Sequence, residues 1–174
     1  VRESLPDLHE RLKNTEIERL ESTFAWIESD PPTQLLASIS GPAAAAKFVA
    51  RKAKALDGLR AFRWLAAIGY PVIIPDAARQ RLLHRLGWID DVSKNNKKRF
   101  DVLKEMEKIA HDLGVKNAEL NLLLGAFAGA SDIPERGAAV CLSEPRCPEC
   151  ILNERCPYYR HNKTNINKRN RSLA

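Results

Sequence analysis

Four cysteines within one sixteen-residue window carry the clearest chemistry in this 174-residue chain: Cys141, Cys147, Cys150 and Cys156, separated by five, two and five residues. Clustered thiols suit either a disulfide framework or a metal. The whole chain is 44% hydrophobic and 29% charged, the mix of a domain that can bury its own core, so disulfide staples are not required and reduced thiols are expected. That leaves metal. A structural zinc site commonly joins two short knuckles across a longer spacer, whereas here one close pair lies between two five-residue arms. Such arms give slack to wrap something wider than one ion, and a cubane needs one thiolate at each of four iron corners. One 4Fe-4S cluster is the expected occupant, with zinc as the alternative.

The second chemical signal is charge. Lysine and arginine number 28 against 22 acidic residues, a net of +6, and the sequence pI is about 9.3. The excess is uneven: residues 141 to 174 hold seven basic and three acidic groups. Two further basic patches stand upstream, one from Lys47 to Arg63 and one reading KNNKKR from Lys94 to Arg99. Each patch by itself could be a solvated helix face, but three of them favour a polyanionic partner, nucleic acid above all. No apolar run approaches the roughly 18 residues of a membrane span, so a soluble, cytoplasmic chain without a membrane partner is expected, a monomer by default.

The elements that must position these groups read as helices. Thr15 and Glu18 form a capping-box pair ahead of Ile17, Leu20, Phe24 and Ile27. Gly41-Pro42 breaks the chain before an alanine-rich helix that should end near Gly58, and Arg60 to Ile68 continues as another short helix. Pro71 and Pro75 keep Tyr70 to Ile74 extended, and Asp76 then opens a helix with Leu82, Leu83 and Leu86 on its apolar face. Ser93 can cap a long helix stopping at Gly114, and Asn117 the next. No segment alternates with period two, so the fold class is all-α. Residues 157–174 are polar and basic with few apolar groups, which predicts a flexible tail that does not pack. Trp26, Trp64 and Trp88 are expected in the core, and His9, His84 and His111 stand at no ligand spacing.

The cysteine loop at the end of a helical domain resembles the iron–sulfur loop of endonuclease III and the adenine glycosylases, members of the helix-hairpin-helix DNA glycosylase superfamily. Those enzymes carry six, two and five residues between their cysteines; this chain carries five, two and five. Gly69 to Arg81 is similar to the family stretch that runs from a Gly-x-Pro turn to a Val-Asp-Thr-His-Val-x-Arg segment. LHRLGWI at Leu83 to Ile89 and NLLLGAFAG before Cys141 extend the similarity over residues 69 to 160, about half of the chain.

The resemblance implies an abridged helix-hairpin-helix glycosylase fold. It divides the chain into a lobe over 1–68 with a degenerate hairpin, a helical domain over 69–140, the cluster loop over 141–156 and the tail. It implies duplex DNA, damaged or mismatched, as partner, and Asp76 as the carboxylate that stabilises the cationic sugar while an N-glycosidic bond breaks. The same side chain would serve equally as a plain helix cap. The family hairpin, Leu-Pro-Gly-Val-Gly-x-Lys, is nearest to Leu56-Asp57-Gly58-Leu59-Arg60-Ala61-Phe62, where Arg60 replaces the second glycine and Phe62 the lysine. A gapless count back from Asp76 puts Gly58 at the lysine position instead. Neither register supplies an imine-forming amine, so a monofunctional glycosylase without lyase activity is implied, Lys52 and Lys54 being the nearest amines in sequence. DNA contacts fall to Gly58, Arg60, Arg63, Lys97, Lys98, Arg99, Arg146 and Arg155. The rival reading is a non-catalytic member that keeps the loop to bind DNA or a protein.

Overall fold

Glycine and proline punctuate the first half of the chain. In the computed structural model, which describes residues 13–29, 32–90, 96–133 and 139–171, helix α1 spans Asn14–Ser29 and α2 spans Pro32–Ala37. Gly41 takes φ 87° as the cap of α3 (Pro42–Lys52), with Pro42 at its first turn, where a missing N–H costs no hydrogen bond. Gly58, at φ 49°, caps α4 (Leu59–Ala67). The alanine-rich helix thus stops at Lys52, six residues before the expected end near Gly58. The Ala53 N–H bonds back to Val49 O, and the Ala55 N–H turns away to Thr23 Oγ1 at 3.2 Å. Helix α1 also starts at Asn14, so Thr15 lies inside it; Glu16 reaches back to the Lys13 N–H at 3.1 Å in the role expected of Glu18.

These four helices form one compact unit, residues 1–70, and residues 71–174 form a second. In the first unit Trp26 packs at 5.7 Å from Trp64 and edge-on to Phe48 at 6.2 Å. Ala45, Ala46 and Val49 of α3 and Ala61, Phe62 and Leu65 of α4 are buried. Phe62 is therefore a core side chain.

The second unit opens with Val72, Ile73 and Ile74, all buried, in backbone that is not helical. Helix α5 (Ala77–Arg85) follows, then α6 (Asn96–Asp112), α7 (Asn117–Ala128), a 3-10 turn at Cys147–Glu149 and α8 (Pro157–Arg171). The described elements are all helical, as the absence of period-two patterning predicts. Helix α5 packs on α7 and also meets α8. Ser93 and the loop before α6 lie outside the described residues.

Two expectations are corrected. The stretch after Cys156 is not a loose tail: it is α8, its Ile166 is buried, and Asn162 Nδ2 donates to Tyr158 O at 2.9 Å. Three well-spaced apolar residues, Tyr158, Tyr159 and Ile166, are enough to dock one side of a helix when a neighbour is at hand. Trp88, expected in the core, is 46% exposed at the turn after α5. No described helix is long and apolar enough to cross a membrane.

Candidate metal centre and the Asp76 network

Helix α5 carries both candidate sites of the second unit, one at each end, nine residues and about 14 Å of helix apart. At its N-terminus Asp76 is the cap, and Oδ1 accepts the Arg79 N–H at 2.9 Å. Oδ2 accepts Arg79 Nη1 at 2.7 Å. The Arg79 side chain is completely buried, and its guanidinium spends its remaining donors on Asp132, with Nη1 to Oδ1 at 3.0 Å and Nη2 to Oδ2 at 2.7 Å, and on Asn121 O, from Nε at 3.1 Å. Asn121 in turn accepts the Ile74 N–H through Oδ1 at 2.9 Å. A guanidinium with five N–H donors in a fixed fork can hold two carboxylates and a carbonyl at once, which lysine cannot. Gly125 makes room for it: a Cβ there would stand 2.5 Å from Arg79 Nη2 and 2.8 Å from Ile133.

At the other end of α5 the chain closes on the cysteines. All four are free thiols, and all four line one cavity of about 370 Å³, its mouth included, whose wall is completed by Leu82, Arg85, Phe127, Tyr158 and Tyr159 among others. Cys147 is buried and the other three are half-buried. Arg85 ties the loop to α5: its guanidinium donates to Leu142 O, to Ser143 O at 2.9 Å and to Cys141 Sγ at 3.5 Å, and lies 4.7 Å from the centre of the Tyr158 ring. Its carbonyl accepts the Cys156 thiol at 3.4 Å. The Leu152 N–H points at Cys150 Sγ at 3.4 Å. Arg81 donates to Ala128 O at 3.3 Å. At Gly129, φ 64°, a Cβ would lie 2.7 Å from Leu142, so the loop can seat against the end of α7 only over a glycine.

Four soft sulfurs line one cavity, with an N–H directed at Cys150 and a guanidinium at Cys141, a donor chemistry of the kind that thiolate-bound metal groups use. No group of three or more described His, Cys, Asp or Glu side chains is arranged to hold a metal ion, so the thiols line a wall and do not gather at a single point. Without a metal Cys147 and Cys150 resist ionisation. Burial, with the neighbouring thiols Cys156 and Cys141 adding to it, pushes Cys147 up to about 11, and burial also raises Cys150. The raised value favours the protonated form in the fold, so this contribution to stability is complete below about 9 and is lost as pH rises towards 11. At pH 8 the metal-free, folded protein should alkylate at Cys147 about 100-fold more slowly than at an unshifted cysteine, because the thiolate is the reacting form. Mass-spectrometric alkylation kinetics, with urea-unfolded protein as reference, measure this; equal rates at all four positions would contradict it.

The remaining candidate residues are scattered. Gly58, Arg60 and Arg63 belong to the first unit. Arg60 and Arg63 are exposed, and Arg60 stands 3.8 Å from Asp57. Lys52 and Lys54 are exposed as well. Lys97, Lys98 and Arg99 lie in the first turn of α6, and their side chains fall outside the described residues. Arg146 is turned into its own loop, donating to Ala139 O and pairing with Glu149 at 3.0 Å, whereas Arg155 is exposed. The partners of Arg79, namely Asn121 and Asp132, carry no signal in the sequence, since they lie 42 and 53 residues away. Comparison with known proteins finds no matching family model, no matching curated protein and no matching solved structure.

Proposed function

We propose that this chain is a DNA-binding iron–sulfur protein of the endonuclease III type, and that base excision at Asp76 is the activity to test first. The observation that carries the reading is that Cys141, Cys147, Cys150 and Cys156 all line one cavity at the end of the helix that Asp76 begins. When bound, a 4Fe-4S cluster would supply four covalent cross-links that fix a short, mostly irregular loop. The chain's own residues do the rest. Arg85 fastens the loop to α5, and the cap at Asp76 fixes the other end of the same helix. The carboxylate of Asp76 has the charge required beside a sugar carbon that becomes positive as the N-glycosidic bond breaks. Phe62 in the core and Arg60 in place of a hairpin glycine leave no amine for an imine step there.

A second reading, a non-catalytic protein that binds DNA through the same framework, is favoured by one observation. Both oxygens of Asp76 are already engaged by Arg79, and the side chain is only 7% exposed. Excision would have to draw on a carboxylate held in a buried ion pair.

Two measurements separate the possibilities. Anaerobic purification followed by iron, sulfide and zinc analysis should give a coloured protein with four iron atoms per chain; colourless protein with one zinc would replace the cluster by zinc. Base release from a panel of duplexes carrying damaged or mismatched bases should fall about 10²–10⁴-fold in Asp76→Asn. Release from none of them by the wild-type protein would select the non-catalytic reading.

A further inference from the structure

We propose that α8 is the element with which this protein grips the phosphate backbone of duplex DNA. The inference deepens the reading above and relies on it only for the identity of the polyanion. Residues 157–174 contain five basic residues, Arg160, Lys163, Lys168, Arg169 and Arg171, and no acidic one. Most other arginines of this unit are spent internally: Arg79 on two carboxylates, Arg81 and Arg85 on carbonyls, Arg146 on Glu149. Arg155, Arg160 and Lys163 are exposed, and none has a carboxylate at ion-pair distance among the described residues. Arg160 and Lys163 stand three apart, on one side of the helix. Arg160 Nη2 donates to Arg155 O at 3.0 Å, which joins the helix to the end of the cysteine loop.

The docked residues of α8 explain why this charge is held in place. Tyr158 and Tyr159 line the thiol cavity, Arg85 lies against the Tyr158 ring, and Ile166 is buried. The apolar residues are therefore used for docking, and among the described side chains of α8 no apolar stripe remains for insertion into a bilayer, which a membrane-surface helix requires. The exposed Arg160 and Lys163 are cationic and carried on an anchored helix, the arrangement that neutralises phosphates without reading bases. A helix fixed before the encounter also loses less entropy on binding than a flexible basic tail.

The experiment is fluorescence anisotropy of a labelled random-sequence duplex with the full chain, titrated between about 50 and 200 mM salt. Each phosphate contact contributes close to one unit to the slope of log affinity against log salt, so Arg160→Gln/Lys163→Gln should flatten that slope by about 2. Lys163→Gln alone, an exposed change, should flatten it by about 1. Lys104→Gln/Lys108→Gln on α6 removes the same charge and should leave the slope unchanged. Circular dichroism confirms that each variant is folded. Equal flattening by the α6 and α8 pairs would overturn the proposal in favour of a diffuse field. Tight duplex binding with unaltered slope in both α8 variants would overturn it while leaving the iron–sulfur reading intact. Absence of duplex binding by the wild type overturns both. Loss of binding to phosphatidylserine vesicles in the α8 variants, with duplex binding unaffected, would assign the helix to a membrane surface and overturn the proposal. Flattening at α8 in a protein that releases no base would support the proposal and reject excision.

Discussion

Arg79→Met is expected to cost about 3–5 kcal/mol of folding free energy. The side chain is fully buried and is the counter-charge of both Asp76 and Asp132. Removing it leaves the Asp76 carboxylate, 7% exposed, with one backbone N–H and no cation. An uncompensated buried charge is far costlier than the loss of the pair itself. Asp132, at 20% exposure, recovers part of its hydration and contributes less. The guanidinium also satisfies Asn121 O, so a buried acceptor would lose its partner too. Urea unfolding of the full chain measures the loss. The triple variant Arg79→Met, Asp76→Asn, Asp132→Asn should regain most of it, because neutral groups are left in place of stranded anions. A single Arg79→Met variant within 1 kcal/mol of the wild type would contradict the argument. Full stability of Arg79→Met with loss of base release would instead identify Arg79 as a positioning group for Asp76.

The second large effect is expected at the cysteine loop. Cys147 is the buried member of the set and opens the 3-10 turn whose Cys150 N–H returns to Cys147 O at 3.1 Å. Outside that turn and the hydrogen-bonded turns between Cys150 and Cys156 the described backbone from 139 to 156 is irregular, tied down by the Val140 and Cys141 N–H groups donating to Phe127 O, by Arg85 and by Arg146 donating to Ala139 O. On the proposed reading, a metal group held by all four thiols would add its own cross-links to these bonds. Cys147→Ser should therefore carry under about a tenth of the wild-type metal. It should also lose about 4 kcal/mol, the stabilisation given by a group present at roughly 1,000 times its dissociation constant. Limited proteolysis reports the local consequence: cleavage between 141 and 156 should appear in the variant and in metal-stripped wild type, but not in the loaded protein. Equal protease resistance in all three would mean that the loop is ordered by its protein contacts alone and that the thiols have no structural ligand.

How much of this was legible in the sequence depended on the range of the interactions. The helical class, the cap at Asp76, the glycine and proline breaks at Gly41-Pro42 and Gly58, and the grouping of the thiols all follow from residues within a few positions of one another, where backbone geometry and ligand spacing are set locally. The end of α3 at Lys52 was not legible, because the N–H groups beyond it are taken by a turn and by Thr23, thirty-two residues upstream of Ala55. Nor was α8, since a polar segment with three apolar residues becomes a helix only when a wall is available to receive them. Only the tertiary structure decided that Arg79, one of several arginines on α5, is wholly buried between two carboxylates, and that Gly125 is the residue that admits it. It decided as well that Arg85 belongs to the cysteine loop. Local chemistry fixes what each residue can do, whereas a buried charge is tolerable only where residues distant in sequence supply its partners, and those partners exist only once the chain has folded.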